Sequence, residues 1–145
     1  MAILATVAFN SRYELGDVDV VGIDKIDPLA IAAARELEMV IRLIGAARLA
    51  PGEHRSPYYF HLKVDDRPGV LAHVAEALAE RDVSIARLLQ HPNGEGAALH
   101  VVTHEAREGA LKEALAAIAA FDEVRKPPQP YPVVSERGVT DLAWA

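Results

Sequence analysis

The residues of this chain best suited to chemistry are consecutive: Asp66-Arg67-Pro68-Gly69-Val70-Leu71. Val70, Leu71, Val74, Ala75 and Leu78 recur at helical spacing and predict a helix from this run to about Arg81. Pro68 fixes the backbone and has no donor, and Gly69 removes a side chain where the helix starts. The N–H groups of Gly69, Val70 and Leu71 are therefore expected to stand bare at the positive end of the helix dipole, which accepts a carboxylate. Asp66 beside them can hold an ammonium group. Together the two features suit a zwitterionic amino acid. The same residues admit a plainer reading, in which Asp66 only caps the helix and Pro-Gly only makes the turn.

Other chemistry-bearing residues form no comparable set. Gly94-Glu95-Gly96 lies between two expected strands, the wrong context for a pyrophosphate loop, and reads as a turn. His100, His104 and Glu105 do not make a His-Glu-x-x-His helix, and both histidines are expected at the surface. Tyr58, Tyr59 and Phe60 can stack a ligand, but alternation assigns two of them to the core. Asp17, Asp19, Asp24 and Asp27 have no matched base or nucleophile and read as solvated loop residues. Without cysteine there is no disulfide, thiolate nucleophile or cysteine-based metal site. No catalytic, metal or cofactor-binding residue is expected. A net charge of -6 with no basic block disfavours a nucleic acid or an anionic membrane as partner. The apolar start Ile3 to Phe9 is too short to cross a bilayer, and a cytoplasmic location is expected.

The elements that must position the loop follow from periodicity. Tyr58, Phe60, Leu62 and Val64 alternate with Tyr59, His61 and Lys63 and predict a strand with one buried face. Val83 to Gln90 and Ala97 to Thr103 predict a hairpin around residues 91–96. Thr103 is a candidate N-cap for a helix with Leu111, Leu115 and Ile118 inward. Val124 to Val134 predicts a last extended segment, which its four prolines should leave at a sheet edge or only partly paired. The order β-α-β-β-α-β is an α+β, ferredoxin-like plan with helices on one sheet face. A second copy is the expected partner for such a sheet. Ahead of it, residues 48–57 read as a linker. Residues 1–47 read as a partial β-α-β segment: a strand at Val18 to Ile23, a helix opened by Asp27 and Pro28 and running to about Glu38, then a buried strand from Met39 to Ile44. This divides the chain into 1–47, linker 48–57, domain 58–134 and a tail of 135–145.

The run Val64 to Leu71, followed by Leu78-Ala79-Glu80-Arg81-Asp82-Val83-Ser84-Ile85, resembles the ACT domain family. The resemblance implies an amino-acid effector held between the strand-one loop of one subunit and strand two of its neighbour. Carried over by position, Asp66, Gly69, Val70 and Leu71 are the loop side and Ser84 and Ile85 the opposing side. Many ACT domains have asparagine where this chain has Asp66 or Ser84. Ile3 to Phe9, Val20 to Ile26, Ala34 to Gly45 and Val101 to Glu108 are similar to the C-terminal portion of bacterial homoserine dehydrogenase. Departures are Asn10 for glycine, Val21 for glutamate and Glu38-Met39 for Gly-Tyr. That resemblance implies that residues 1–47 are the end of a catalytic domain, whose NAD(P)-binding part and catalytic aspartate and lysine lie upstream of the matching segment. It implies a regulatory module sensing threonine, in the pathway to threonine and methionine. Two alternatives stay open: half of a split dehydrogenase reducing aspartate semialdehyde, completed by a separate catalytic piece, or a dimerisation domain without ligand.

Overall fold

The computed structural model describes residues 26–42, 54–94 and 96–134. The chain divides into two compact units, Met1–Leu49 and Ala50–Ala145. The expected strand at Val18 to Ile23, the aspartates at 17, 19 and 24, most of the linker and the tail lie outside the described residues.

In the first unit, α1 spans Pro28–Glu36. Asp27 caps it, its carboxylate accepting from the Leu29 N–H at 2.9 Å, and Pro28 opens the first turn as the sequence predicts. Ala30, Ala33 and Ala34 form its buried side, with Leu37 just past its end. The helix stops because Glu38 turns left-handed, at φ 57°. There the Met39 N–H reaches the Ala34 carbonyl at 2.7 Å and the Glu38 N–H the Arg35 carbonyl at 3.2 Å. This is a Schellman stop, normally built on glycine. The strand expected from Met39 is not found in its described part: residues 39–42 are not in a strand, and Val40 is 77% exposed. An apolar run specifies burial only if a neighbouring element is there to receive it, and periodicity does not reveal that neighbour.

The second unit has the order β1 (Arg55–Ser56), β2 (Tyr58–Val64), α2 (Val70–Ala79), β3 (Ile85–Asn93), β4 (Gly96–Thr103), β5 (Ala106–Arg107), α3 (Glu108–Ala119) and β6 (Tyr131–Pro132). An antiparallel sheet runs β3-β4-β2-β6, and β1 pairs with β5 beside it. This is the α+β, ferredoxin-like plan predicted from the sequence. Phe60, Leu62, Leu99 and Val101 face Val74 and Leu78 of α2 and Leu111 and Ile118 of α3 in one core. Among the described residues no helix is long and apolar enough to cross a membrane.

Several boundaries and roles differ from expectation. α2 ends at Ala79 rather than near Arg81, because Asp82 takes a left-handed turn, at φ 58°, and the Val83 N–H closes back on the Leu78 carbonyl. The hairpin strands run on through His91 and Pro92, leaving a much shorter turn. Thr103 caps no helix. Its hydroxyl accepts from the Tyr58 N–H at 3.0 Å, and α3 begins only after β5, with Arg107 at its cap position. His104 is exposed but His100 is 1% exposed, on the sheet face opposite the helices. Its Nδ1 is 2.9 Å from the Tyr59 hydroxyl, and its ring stacks on His61 and Tyr59. Tyr59 is buried too, against Tyr131 as well as these rings. β4 lies between β2 and β3, so a residue on either of its faces is shielded by cross-strand neighbours.

Three substitutions test the backbone reading. Glu38→Gly relieves a left-handed residue and is expected to raise stability by about 1 kcal/mol in thermal unfolding. A Cβ on Gly96 would overlap the Val64 carbonyl, whereas Gly94 has open space around it. Gly96→Ala should therefore cost about 1–3 kcal/mol while Gly94→Ala stays within about 0.5; equal effects would contradict the close approach.

Candidate functional site

β2 delivers the chain to the loop at Val64, which pairs with Ala97 of β4 on one side and bridges Val124 on the other. Asp65 continues that alignment, its N–H donating to the Glu123 carbonyl at 3.0 Å. The chain then turns: the Arg67 N–H reaches back to the Asp65 carbonyl at 3.1 Å, and the Val70 N–H contacts the Arg67 carbonyl at a long 3.4 Å. Gly69 is the cap residue of α2, left-handed at φ 94°. No side chain caps this helix, so the plainer reading of Asp66 as a cap is not what the fold uses. The Val70 N–H, expected to stand bare, is thus already in contact with a loop carbonyl; the next N–H groups of the first turn have no acceptor inside the helix.

A cavity of about 190 Å³ opens at this point, lined by Val64 through Leu71 together with Gln90, Ala97 and Leu99. Its strand side is apolar, from Val64, Ala97 and Leu99, all buried. Its loop side carries charge. Arg67 is drawn to Asp65 at 3.4 Å and Glu123 at 4.0 Å, and so does not close the cavity as a ligand-free loop would require. Asp65 is itself occupied by Arg125. Asp66 is exposed, and no ion pair of Asp66 is found among the described residues. The arrangement offers a carboxylate for a cation, helix N–H groups for an anion, and an apolar floor between strands.

The structure thus brings Asp66, Gly69, Val70 and Leu71 together at one cavity. Leu71, carried over with them to the loop side, is 38% exposed and lines the cavity. Ser84 and Ile85 do not line it. Ser84 is exposed, its carbonyl accepting from the His104 N–H at 2.8 Å, and Ile85 packs against the core. From the same strand it is Gln90 that reaches the site, opposite Leu99. Sequence reasoning missed it because the register shifts between Ile85 and Arg87, so that Leu88 and Gln90, not Leu89, continue the face begun by Ile85. A polar residue on the helix side of a strand is the signal that could have found it. Among the described residues no group of histidine, aspartate and glutamate is placed to hold a metal ion.

The sequence from His61 to Glu123 matches the ACT domain family. Residues 61–123 are an ACT domain. Homoserine dehydrogenase of Methylobacillus glycogenes is 37% identical over 86 residues, which are 57% of this chain and 21% of that enzyme. Homoserine dehydrogenase of Mycobacterium leprae is 43% identical over 74 residues, 47% of this chain and 17% of that enzyme. The crystal structure of a homoserine dehydrogenase from Thiobacillus denitrificans superimposes with a TM-score of 0.56 at 26% identity, covering 73% of this chain and 25% of that one. The chain resembles the C-terminal ACT region of homoserine dehydrogenase and spans about a fifth of the length of the curated relatives it matches.

Gly69 has open space where a Cβ would lie, so its left-handed φ alone demands glycine. Gly69→Ala should lower stability by about 1–2 kcal/mol in denaturant unfolding; a neutral result would mean the ACT loop has a second accessible shape.

Proposed function

We propose that this ACT domain is an amino-acid-binding regulatory module of the homoserine dehydrogenase type and that its effector is threonine. The observation that carries the reading is the cavity at the uncapped start of α2, with Asp66 at its loop and an apolar floor. The effector's carboxylate would take the N–H groups of the first turn, and its ammonium would take Asp66. The side chain would then lie toward Val64, Ala97 and Leu99, where the Gln90 amide can meet a hydroxyl. A small side chain with one hydrogen-bonding group satisfies both the floor and the amide.

In this reading two copies associate through the ACT sheet. β3 is nine residues long and, among the described residues, stands at an edge of the sheet, where another strand can be added. A second copy brought there supplies its own Ser84 and Ile85 to the open side of the cavity. Effector binding then favours one arrangement of the pair. In the whole dehydrogenase this biases a distant NAD(P)-dependent active site through a coupling free energy between the two sites.

Isothermal calorimetry on this chain tests the reading. Threonine should give saturable heat, valine of similar shape should bind more weakly for lack of the hydroxyl, and Asp66→Ala should weaken threonine at least about tenfold by removing a charged hydrogen-bond partner. No heat with any proteinogenic amino acid sinks the proposal.

A further inference from the structure

The loop that carries Asp66 is tied to a distant part of the chain. Arg125 donates from Nε and Nη2 to one oxygen of Asp65, at 3.1 and 3.0 Å, while Arg67 approaches the other oxygen at 3.4 Å. Beneath these side chains two backbone bonds of 3.0 Å join the same segments, from the Asp65 N–H to the Glu123 carbonyl and from the Arg125 N–H to the Lys63 carbonyl. His73, on the first turns of α2, lies 3.8 Å from the Glu123 carboxylate. An isolated exposed ion pair contributes little. Here the pair sits on a backbone ladder, Arg67 approaches the second oxygen of the same carboxylate, and that carboxylate belongs to the residue immediately before Asp66. It also screens a negative charge beside the place where a ligand carboxylate must dock.

We propose that Arg125 is a positioning residue for the effector loop and acts through Asp65. It holds the start of the loop against β2, so that Asp66 and the first turn of α2 face the cavity together before any ligand arrives. The binding consequence rests on the amino-acid reading above, and the ordering of the loop does not. Amide hydrogen exchange on the full chain without ligand, for wild type, Arg125→Ala and Arg125→Lys, separates the two. In Arg125→Ala, exchange at the hydrogen-bonded amides of residues 65, 67 and 125 should rise about tenfold while the central strands keep their protection. Arg125→Lys should recover part of that protection, since a lysine offers one point charge to the same carboxylate. Threonine binding by calorimetry should weaken about tenfold in Arg125→Ala, the size of a coupling between neighbouring groups. Unchanged exchange at residues 65, 67 and 125, or an acceleration spread over the whole sheet, overturns the proposal. If wild type binds no amino acid, the exchange result still decides the role of Arg125, and it is the proposed function that falls.

Discussion

The alignment of β2 between two neighbours is the constraint on which the site depends. Across its length β2 pairs with β4, and near its ends it meets β6 and Val124. Its inward residues Phe60 and Leu62 are fully buried under both helices. A strand fixed on both edges and on one face cannot slide, because a one-residue slip would move its apolar set to the other face. The direction in which the chain leaves Val64 is therefore set by the sheet. Gly96 allows the backbones of β4 and β2 to approach closely at that same point. The loop then needs only one special conformation, at Gly69, to start α2 beside the cavity.

Leaving that helix uncapped has a cost. A side-chain cap typically stabilises a helix by about 1 kcal/mol, and α1 in the same chain has one in Asp27. α2 forgoes it although Asp66 is close by in sequence. Its anchoring comes from elsewhere: Val70, Val74, Ala77 and Leu78 are buried against the sheet. Burial of one such aliphatic side chain is worth about 1.5–3 kcal/mol, more than the missing cap. The two adjacent carboxylates consequently have different roles. Asp65 is engaged by Arg125 and Arg67, whereas Asp66 is left facing solvent at the cavity. Sequence proximity gives no hint of this division, because the partner of Asp65 lies sixty residues away.

Features set by local chemistry were legible in the sequence, and features set by long-range neighbours were not. Asp27-Pro28 opened a helix, the alternation from Tyr58 to Val64 made a strand, Leu111, Leu115 and Ile118 faced the core, and the loop residues 66, 69, 70 and 71 met at one place. Thr103 has the chemistry of a cap, yet the Tyr58 N–H of a neighbouring strand claims its hydroxyl first. His100 looked like a surface residue until the sheet order placed it between Tyr59, His61 and His91. Gln90 was hidden by a register shift that inverts the parity of β3 after Ile85. Each of these depends on which strand lies beside which, information that period and propensity do not contain.

The position of Gln90 has a consequence for how a signal would leave the site. It belongs to β3, the edge strand that the proposed second copy would pair with, so the cavity and the interface share one element. An effector touching β3 and the helix start of one copy, together with Ser84 and Ile85 of the other, would bind the pair better than the single chain. Such a ligand would shift the association equilibrium by at most its difference in affinity for the two, roughly 1–3 kcal/mol for an ordinary allosteric coupling. No large rearrangement of the core would then be required, because β2 and the two helices frame the loop while a strand at the sheet edge would change its company. The effector would act by altering how two sheets meet, and the close packing behind the cavity would be what keeps that change from dissipating into the domain itself.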